Sequence, residues 1–314
     1  MAGQAGIKTH FSIVVPTFNS ALTLAATLES IRAQGWPKVE VLIIDGVSRD
    51  TTLDVAQGFP DLDVVIQSEP DQGIYDAINK GIARARGDLV CVIGSDDLLA
   101  PGAFEAVDRI WQASRTDIVA GRALLVAPDG TAHLREDEAY DIGCLISGIP
   151  FCHNSMYVTK AAYARVGAYA TKLKICADAE WVHRAIRQGC TCARIPEVLI
   201  HFSLDGTSSR NDELIMAETY AVVAANFPGL STADAETLFK AARGWTDPSR
   251  VPSVVANHPD VPGLRETVLA KFGTGILAAA DADPAIPRRP AGSFSMARAF
   301  QNMRAALLSG ERRK

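Results

Sequence analysis

No apolar run in the 314 residues approaches the ~20 needed to cross a bilayer. Residues 1–10 lack the apolar core of a secretory signal. The six cysteines form no C-x-x-C pair, and Cys190 and Cys192 are separated by a single residue. That spacing argues against both a disulfide framework and a zinc site. Cys91, inside an apolar run, reads as a small core residue. Reduced thiols and the missing leader together predict a cytoplasmic protein. The net charge of -5 argues against broad nucleic-acid binding. A glycine-rich phosphate loop is also absent after the first predicted strand. The near match over residues 273–278 follows helix-like sequence, the wrong context for a dinucleotide site. Any phosphate bound here must be held by side chains and a metal ion.

What is present is a soluble globular composition, 48% hydrophobic and 21% charged. Its length suits one large core or two smaller domains. Strands are expected at residues 11–15, 39–44, 64–67 and 89–93. The intervening stretches, with apolar residues at helical spacing (Leu24, Leu28, Ile31; Ile74, Ile78, Ile82), read as helices. Asn19 or Ser20 is placed to cap the first of them, and Ser48 and Asp50 suit the start of the second. Repeated strand-helix alternation predicts a parallel sheet with right-handed crossovers.

Ligands of such sheets sit beyond the carboxyl ends of the strands. Here those ends carry Asn19, Asp45, Asp71, and the adjacent Asp96 and Asp97. Each is separately explicable as a turn residue. Four such ends on one rim point instead to a polar ligand site, and two neighbouring acids require a cation or hydrogen-bond donors to offset their repulsion.

Four ordered segments then carry a resemblance. FSIVVPTFN over residues 11–19, IDGVSRDT over 44–51, SEPDQGIYDAINKG over 68–81, and Ser95-Asp96-Asp97 are similar to family 2 glycosyltransferases. The likeness extends over about residues 10–210. It implies an inverting enzyme with the GT-A fold, a Rossmann-like nucleotide-binding α/β architecture with a mostly parallel central sheet. It further implies a nucleoside-diphosphate sugar donor, UDP- or GDP-linked, lying across the rim. In that pattern Asp45 contacts the base, and Pro16, Thr17 and Asn19 line the nucleoside pocket. Asp71 sits beside base and ribose, Gly73 is a donor or acceptor contact, and Lys80 is either nearby or a solvated helix residue. Asp96 approaches the ribose, and Asp97 ligates Mn²⁺ or Mg²⁺ at the diphosphate. Ser95 stands where the family's D-x-D motif has an acid.

Farther along, residues 103–111 read as a helix and 117–120 as a strand. Residues 121–135 read as a hairpin turning at Pro128-Asp129-Gly130. By the resemblance His153 faces diphosphate or acceptor, although a structural loop histidine is an equal reading. Inversion needs a base for the acceptor hydroxyl. The resemblance puts it at Asp178, with Glu180 as the second candidate. Capping a helix is the ordinary role of an aspartate there. The resemblance also implies a third metal ligand at about the place of His201, 23 residues later, nitrogen suiting Mn²⁺ better than Mg²⁺; a strand histidine facing solvent is the other reading. Ser208 and Arg210 lie in a segment suited to closing over the diphosphate.

The expected organisation is a glycosyltransferase domain over residues 1–210, with donor half 10–100 and acceptor half 101–210. A helical region follows over 211–314, broken at Pro228-Gly229. The basic amphipathic stretch 294–314 suits docking on the inner face of a membrane, on the catalytic domain, or on a second subunit of a homodimer. The expected acceptor is a saccharide or a lipid-linked molecule. The competing readings are a nucleotidyltransferase and a non-catalytic nucleotide-sugar-binding protein.

Overall fold

Strand β1, Phe11–Thr17, is buried along its whole length, and the residues of FSIVVPT alternate between two apolar layers. This computed structural model describes residues 8–206 and 211–278. Strands β2 (Val39–Asp45), β3 (Asp63–Ser68) and β4 (Leu89–Val92) run parallel to β1 in the order β3-β2-β1-β4. Helices α1 (Leu24–Arg32), α2 (Thr52–Gln57) and α3 (Ile74–Arg84) supply the crossovers. Their order puts the ends of β1, β2 and β3 on one rim, as the alternation predicts.

Beyond β4 the sheet becomes mixed. After β5 (Leu98–Leu99) and α4 (Ala103–Ser114) come β6 (Ile118–Val126), β7 (Ala132–Leu134), β8 (Met156–Thr159), α5 (Lys160–Val166), α6 (Ala177–Arg187) and β9 (Cys192–Ser203). Strand β8 is antiparallel to β4 and β6, while β6 and β9 are parallel. Among the described residues the sheet has nine strands in the order β3-β2-β1-β4-β8-β6-β9-β5, with β7 paired to β6. The expected hairpin turn at residues 128–130 is present, and its first strand simply continues the strand begun at Ile118.

One face of the sheet buries Phe11, Ile13, Val15, Leu24, Leu28 and Phe104. The other buries Val14, Leu42, Ile44, Ile78, Val90 and Trp181. Phe11 stacks on Phe104 at 4.6 Å between ring centroids and meets Tyr157 edge-on at 5.7 Å. This aromatic knot joins the first strand to elements a hundred residues away. Cys91 is fully buried in this layer, and all six cysteines are free.

The expected caps differ. The N-cap of α1 is Thr23, whose hydroxyl makes no capping bond and donates to Ser20 O at 3.4 Å. Asn19 takes φ +51° instead, and its Oδ1 accepts from Arg49 N at 2.9 Å. Asp50, expected at the start of α2, does act there, accepting from Thr52 N at 3.0 Å.

The chain separates into two compact units, Met1–Tyr140 with Ile149–Glu218, and Asp141–Gly148 with Thr219–Lys314. The second unit contains helices α8 (Thr232–Ala242), α9 (Val251–Asn257), α10 (Leu264–Phe272) and α11 (Gly275–Ala278). Helix α7, Asp212–Asn226, ends two residues before the Pro228-Gly229 break. The basic stretch 294–314 lies outside the described residues. Among the described residues no helix is long and apolar enough to cross a membrane.

Candidate active site

Asp45 ends β2 almost without exposure and anchors the first part of the rim. It accepts from Ser48 N at 3.0 Å, Ser48 Oγ at 2.5 Å, Ser68 Oγ at 2.6 Å and Thr17 Oγ1 at 3.2 Å. Burial alone raises its pKa. The donors from Ser48, Ser68 and Thr17 outweigh that, and the carboxyl titrates below its ordinary range. Pulling Ser48 inward leaves Val47 at φ +64°, a conformation costly for a β-branched residue.

Asp71 closes over Asp45's turn. Its Oδ1 accepts from Gly73 N at 2.9 Å, and its Oδ2 lies 2.7 Å from where a Cβ on Gly46 would stand. A side chain at residue 46 would therefore displace Asp71. Gly73, at φ +122°, starts α3 in a conformation that only glycine adopts readily. Phe18, which sequence reasoning did not single out, is 63% exposed, and its ring lies 3.5 Å from the same Gly46 position. An exposed aromatic beside Asp71 is the signal, visible only once the turns are folded. Pro16 and Thr17 close β1 in buried positions. Lys80 is committed elsewhere, bonded to Pro70 O at 2.9 Å and paired with Glu69 at 3.0 Å and Asp76 at 3.1 Å. Ser95 donates to Ser20 Oγ at 2.8 Å, tying the loop after β4 to the loop after β1.

The two adjacent acids occupy different environments. Asp97 is 1% exposed. Its Oδ2 accepts from Gly94 N at 3.0 Å and Asn154 Nδ2 at 2.6 Å, and its Oδ1 from Ser203 N at 2.9 Å. Burial pushes its pKa up to about 7, with Asp96's charge adding and the three donors opposing. Asp96 is half-buried and lines a pocket of about 230 Å³ with Leu98, Val126, His201 and Ser203. Burial and the charge of Asp205 raise its pKa too. The motif pattern gives the metal to Asp97 and the ribose to Asp96, whereas the geometry buries Asp97 in backbone contacts and leaves Asp96 facing the pocket with His201. Gly94 makes the arrangement sterically feasible, because a Cβ there would meet both carboxylates at 2.7 Å. Among the described residues no group of three or more His, Cys, Asp or Glu could hold a metal ion.

Asp178 stands in the first turn of α6, half-buried, with Oδ1 accepting from Ala179 N at 2.8 Å. The Tyr75 hydroxyl lies 3.3 Å from that oxygen and accepts from Asp178 N at 3.4 Å, which brings the start of α6 against the start of α3. Glu180 points elsewhere, held by Arg184 at 2.8 and 2.9 Å. His153 Nε2 lies 2.8 Å from the Tyr169 hydroxyl. Burial lowers its pKa, partly offset by Asp178's charge, so the ring favours its neutral form. Its neighbour Asn154 bonds Asp97, so residues 153–154 join the Tyr169 hydroxyl to the acid pair. Lys174 Nζ donates to Gln72 O at 3.2 Å, bringing a cation near Gly73 that the motifs did not indicate. Ser208 and Arg210 lie outside the described residues.

Known proteins share this architecture. A family model described as "Glycosyl transferase family 2" matches residues 12–160. A PGL/p-HBAD biosynthesis glycosyltransferase of Mycobacterium bovis (strain BCG / Pasteur 1173P2) is 30% identical over 195 residues, covering 60% of this chain and 75% of the relative. The crystal structure of S. aureus TarS 1-349 in complex with UDP-GlcNAc superimposes with a TM-score of 0.61 at 16% identity, covering 87% of each chain. The mannosyltransferase PcManGT from Pyrobaculum calidifontis, in complex with GDP-Man and Mn²⁺, does so with a TM-score of 0.50 at 20% identity. That match covers 96% of this chain and 81% of the other. These two structural likenesses concern the fold, which is GT-A. Sequence relationship and fold agree that this chain belongs to the family 2 glycosyltransferases.

Proposed function

We propose that this glycosyltransferase is inverting and metal-dependent, moving a sugar from a UDP- or GDP-sugar to a hydroxyl of a saccharide or lipid-linked acceptor. The observation that carries the proposal is the continuity of the rim. Asp45 and Asp71 share Gly46, and Tyr75 joins the start of α3 to Asp178. Tyr75 stacks on Tyr169, whose hydroxyl meets His153 Nε2, and Asn154 binds Asp97 beside the open Asp96. One surface thus carries base-binding, diphosphate-binding and proton-accepting groups.

The donor set fits a hard divalent cation. A half-buried carboxylate and an imidazole share a pocket at Asp96 and His201, with a second acid, Asp205, close enough to raise Asp96's pKa. Too few protein ligands converge for a closed cage, which suits an ion completed by substrate phosphates. Asp96 and His201 would hold Mn²⁺ or Mg²⁺, whose charge would stabilise the departing nucleoside diphosphate. Asp97 orients this corner by fixing the loop after β4 to the end of β9. Phe18 offers a stacking face for the base, and Asp45 a hydrogen-bond acceptor behind it. Asp178 accepts the acceptor's hydroxyl proton as that oxygen attacks the anomeric carbon opposite the leaving group. Glu180, neutralised by Arg184, is the weaker candidate for this role.

A thermal-shift panel of UDP- and GDP-sugars with MnCl₂ identifies the donor, because bound ligand raises the melting temperature. Nucleoside diphosphate release from that donor is then measured with and without EDTA. Release that requires the metal and falls in Asp96→Asn supports the reading. Full release by Asp96→Asn in EDTA overturns it.

A further inference from the structure

We propose that Glu218, on α7, is a positioning residue that fixes where α6 begins and thereby aims Asp178. The proposal rests on the reading of Asp178 as the base. The residues entering α6 turn three consecutive amides toward one carboxylate. Glu218 Oε1 accepts from Lys174 N at 2.6 Å, and Oε2 accepts from Ile175 N at 2.8 Å and Cys176 N at 2.9 Å. Glu218 is 8% exposed, so these charge-assisted bonds are shielded from competing water.

The other side of the same backbone is held as well. The Ile175 carbonyl accepts from the Tyr75 hydroxyl, so that residue is gripped through its N–H by α7 and through its C=O by α3. Cys176 Sγ adds a contact to Ile215 O at 3.6 Å, one turn before Glu218. Helix α6 has no side-chain cap of its own, its N-cap being Cys176. The external carboxylate instead fixes the three amides that lead into the helix, while Tyr75 Oη and Asp178 Oδ1 accept from the first-turn amides of Asp178 and Ala179.

Asp178 lies two residues beyond the gripped segment. Because a helix turns once per ~3.6 residues, a helix start displaced by one residue would swing the Asp178 side chain by about 100°. Lys174, gripped by the same carboxylate, would lose its place beside Gln72 and Gly73. Glu218 touches neither reacting group. Its influence on turnover runs through the backbone alone.

The test compares Glu218→Gln, Asp178→Asn and the double variant, using nucleoside diphosphate release from the donor that the wild-type chain turns over with MnCl₂. Glutamine keeps the shape but cannot accept from three amides. We expect Glu218→Gln to stay folded by circular dichroism, with donor KM within about twofold of wild type and kcat about 10- to 100-fold lower. Glu218→Asp should recover part of that loss. In the Asp178→Asn background the same change should lower kcat no further, because a misaimed base that is already absent costs nothing more. Overturning results are a Glu218→Gln enzyme with wild-type kcat, or a double variant whose losses multiply. If Glu218→Gln does not fold, Glu218→Asp is read by the same criteria, alone and with Asp178→Asn. Full turnover by Asp178→Asn would instead refute the base assignment, a result separable from the others.

Discussion

Asp96 and Asp97 are chain neighbours in different surroundings, Asp97 gripped by Gly94, Asn154 and Ser203 while Asp96 opens onto the pocket that His201 also lines. A carboxylate already serving three donors contributes to architecture, and the one facing the pocket is free to serve a ligand. Asp96→Asn should therefore keep the wild-type melting temperature within ~2 °C and lose Mn²⁺-dependent donor stabilisation, with release lowered about 100-fold or more. Asp97→Ala strands three half-buried donors and should cost roughly 1–3 kcal/mol, read as a lower urea midpoint at unchanged m-value. The opposite pattern, with Asp97→Ala stable but metal-blind and Asp96→Asn fully active, would return the metal to Asp97.

The two acids at the start of α6 divide in a similar way. Asp178 has one oxygen engaged by Ala179 N, whereas Glu180 is paired in a fork with Arg184. Asp178→Asn should bind donor with wild-type affinity by calorimetry and release nucleoside diphosphate about 100- to 10,000-fold more slowly. Glu180→Gln should keep most of its turnover and lose about 0.5 kcal/mol or less of stability, as an i,i+4 pair would. Turnover abolished in Glu180→Gln and retained in Asp178→Asn would exchange their roles.

These contrasts mark the limit of what was legible in the sequence. The strands and crossovers around Phe11–Thr17 were readable because local patterns dictate them, a buried apolar run followed by helical spacing. The rim was readable for the same reason, since strand ends carry their polar residues in fixed order. Which acid faces the pocket was not, because the partners of Asp97 lie 57 and 106 residues away. Lys80 illustrates the converse, since its partners are close in sequence and the surface-lysine reading was available from Glu69 and Asp76 alone. Glu218 was missed because it belongs to no local pattern, and Phe18 because its place inside the segment 11–19 does not tell which way its ring faces. One acts across 42 residues of chain, and the other is marked only by its exposure.

Phe18 supports a direct test of the base pocket. Its ring is largely exposed beside Gly46 and Asp71, so truncation removes little buried surface. Base-aromatic stacking contributes about 1–3 kcal/mol per base, so Phe18→Ala should raise donor KM by about 5- to 150-fold. The melting temperature without ligand should stay within ~2 °C of wild type, and kcat at saturation should be retained. Phe18→Tyr should behave as wild type. A KM unchanged in Phe18→Ala would remove the ring from the donor site.

Gly94 offers a steric test of the acid pair. A methyl at residue 94 would sit 2.7 Å from both Asp96 Oδ1 and Asp97 Oδ2, so one carboxylate must move. Gly94→Ala should weaken Mn²⁺-dependent donor binding at least about tenfold and destabilise the fold by about 1–3 kcal/mol. Measuring donor affinity by calorimetry with and without MnCl₂ separates these effects. Equal losses in both conditions would mean that the clash disturbs the nucleoside pocket rather than the metal corner.

Far from this rim, Glu40 predicts the acid response of the fold. Its carboxylate is fully buried on β2 and accepts from Ser12 Oγ at 2.5 Å, Arg86 N at 2.6 Å and Arg86 Nε at 2.6 Å. Burial raises its pKa, but the donors from Ser12 and Arg86 and the guanidinium charge prevail, leaving it below 4.5. A carboxyl whose folded pKa lies below its unfolded value stabilises the fold above the unfolded value. That stabilisation is lost as pH falls through the folded one. Wild-type stability should therefore decline as pH drops below about 4.5. Arg86→Ala removes two of the compensating influences while leaving the carboxylate in place. It should lower stability at pH 7, and by less as the pH falls and the carboxyl takes up its proton, because the guanidinium then matters less. Urea melts of both proteins at pH 7, 5, 4 and 3 check this. A wild-type to Arg86→Ala difference that stays constant across the series would mean that the pair contributes packing rather than charge.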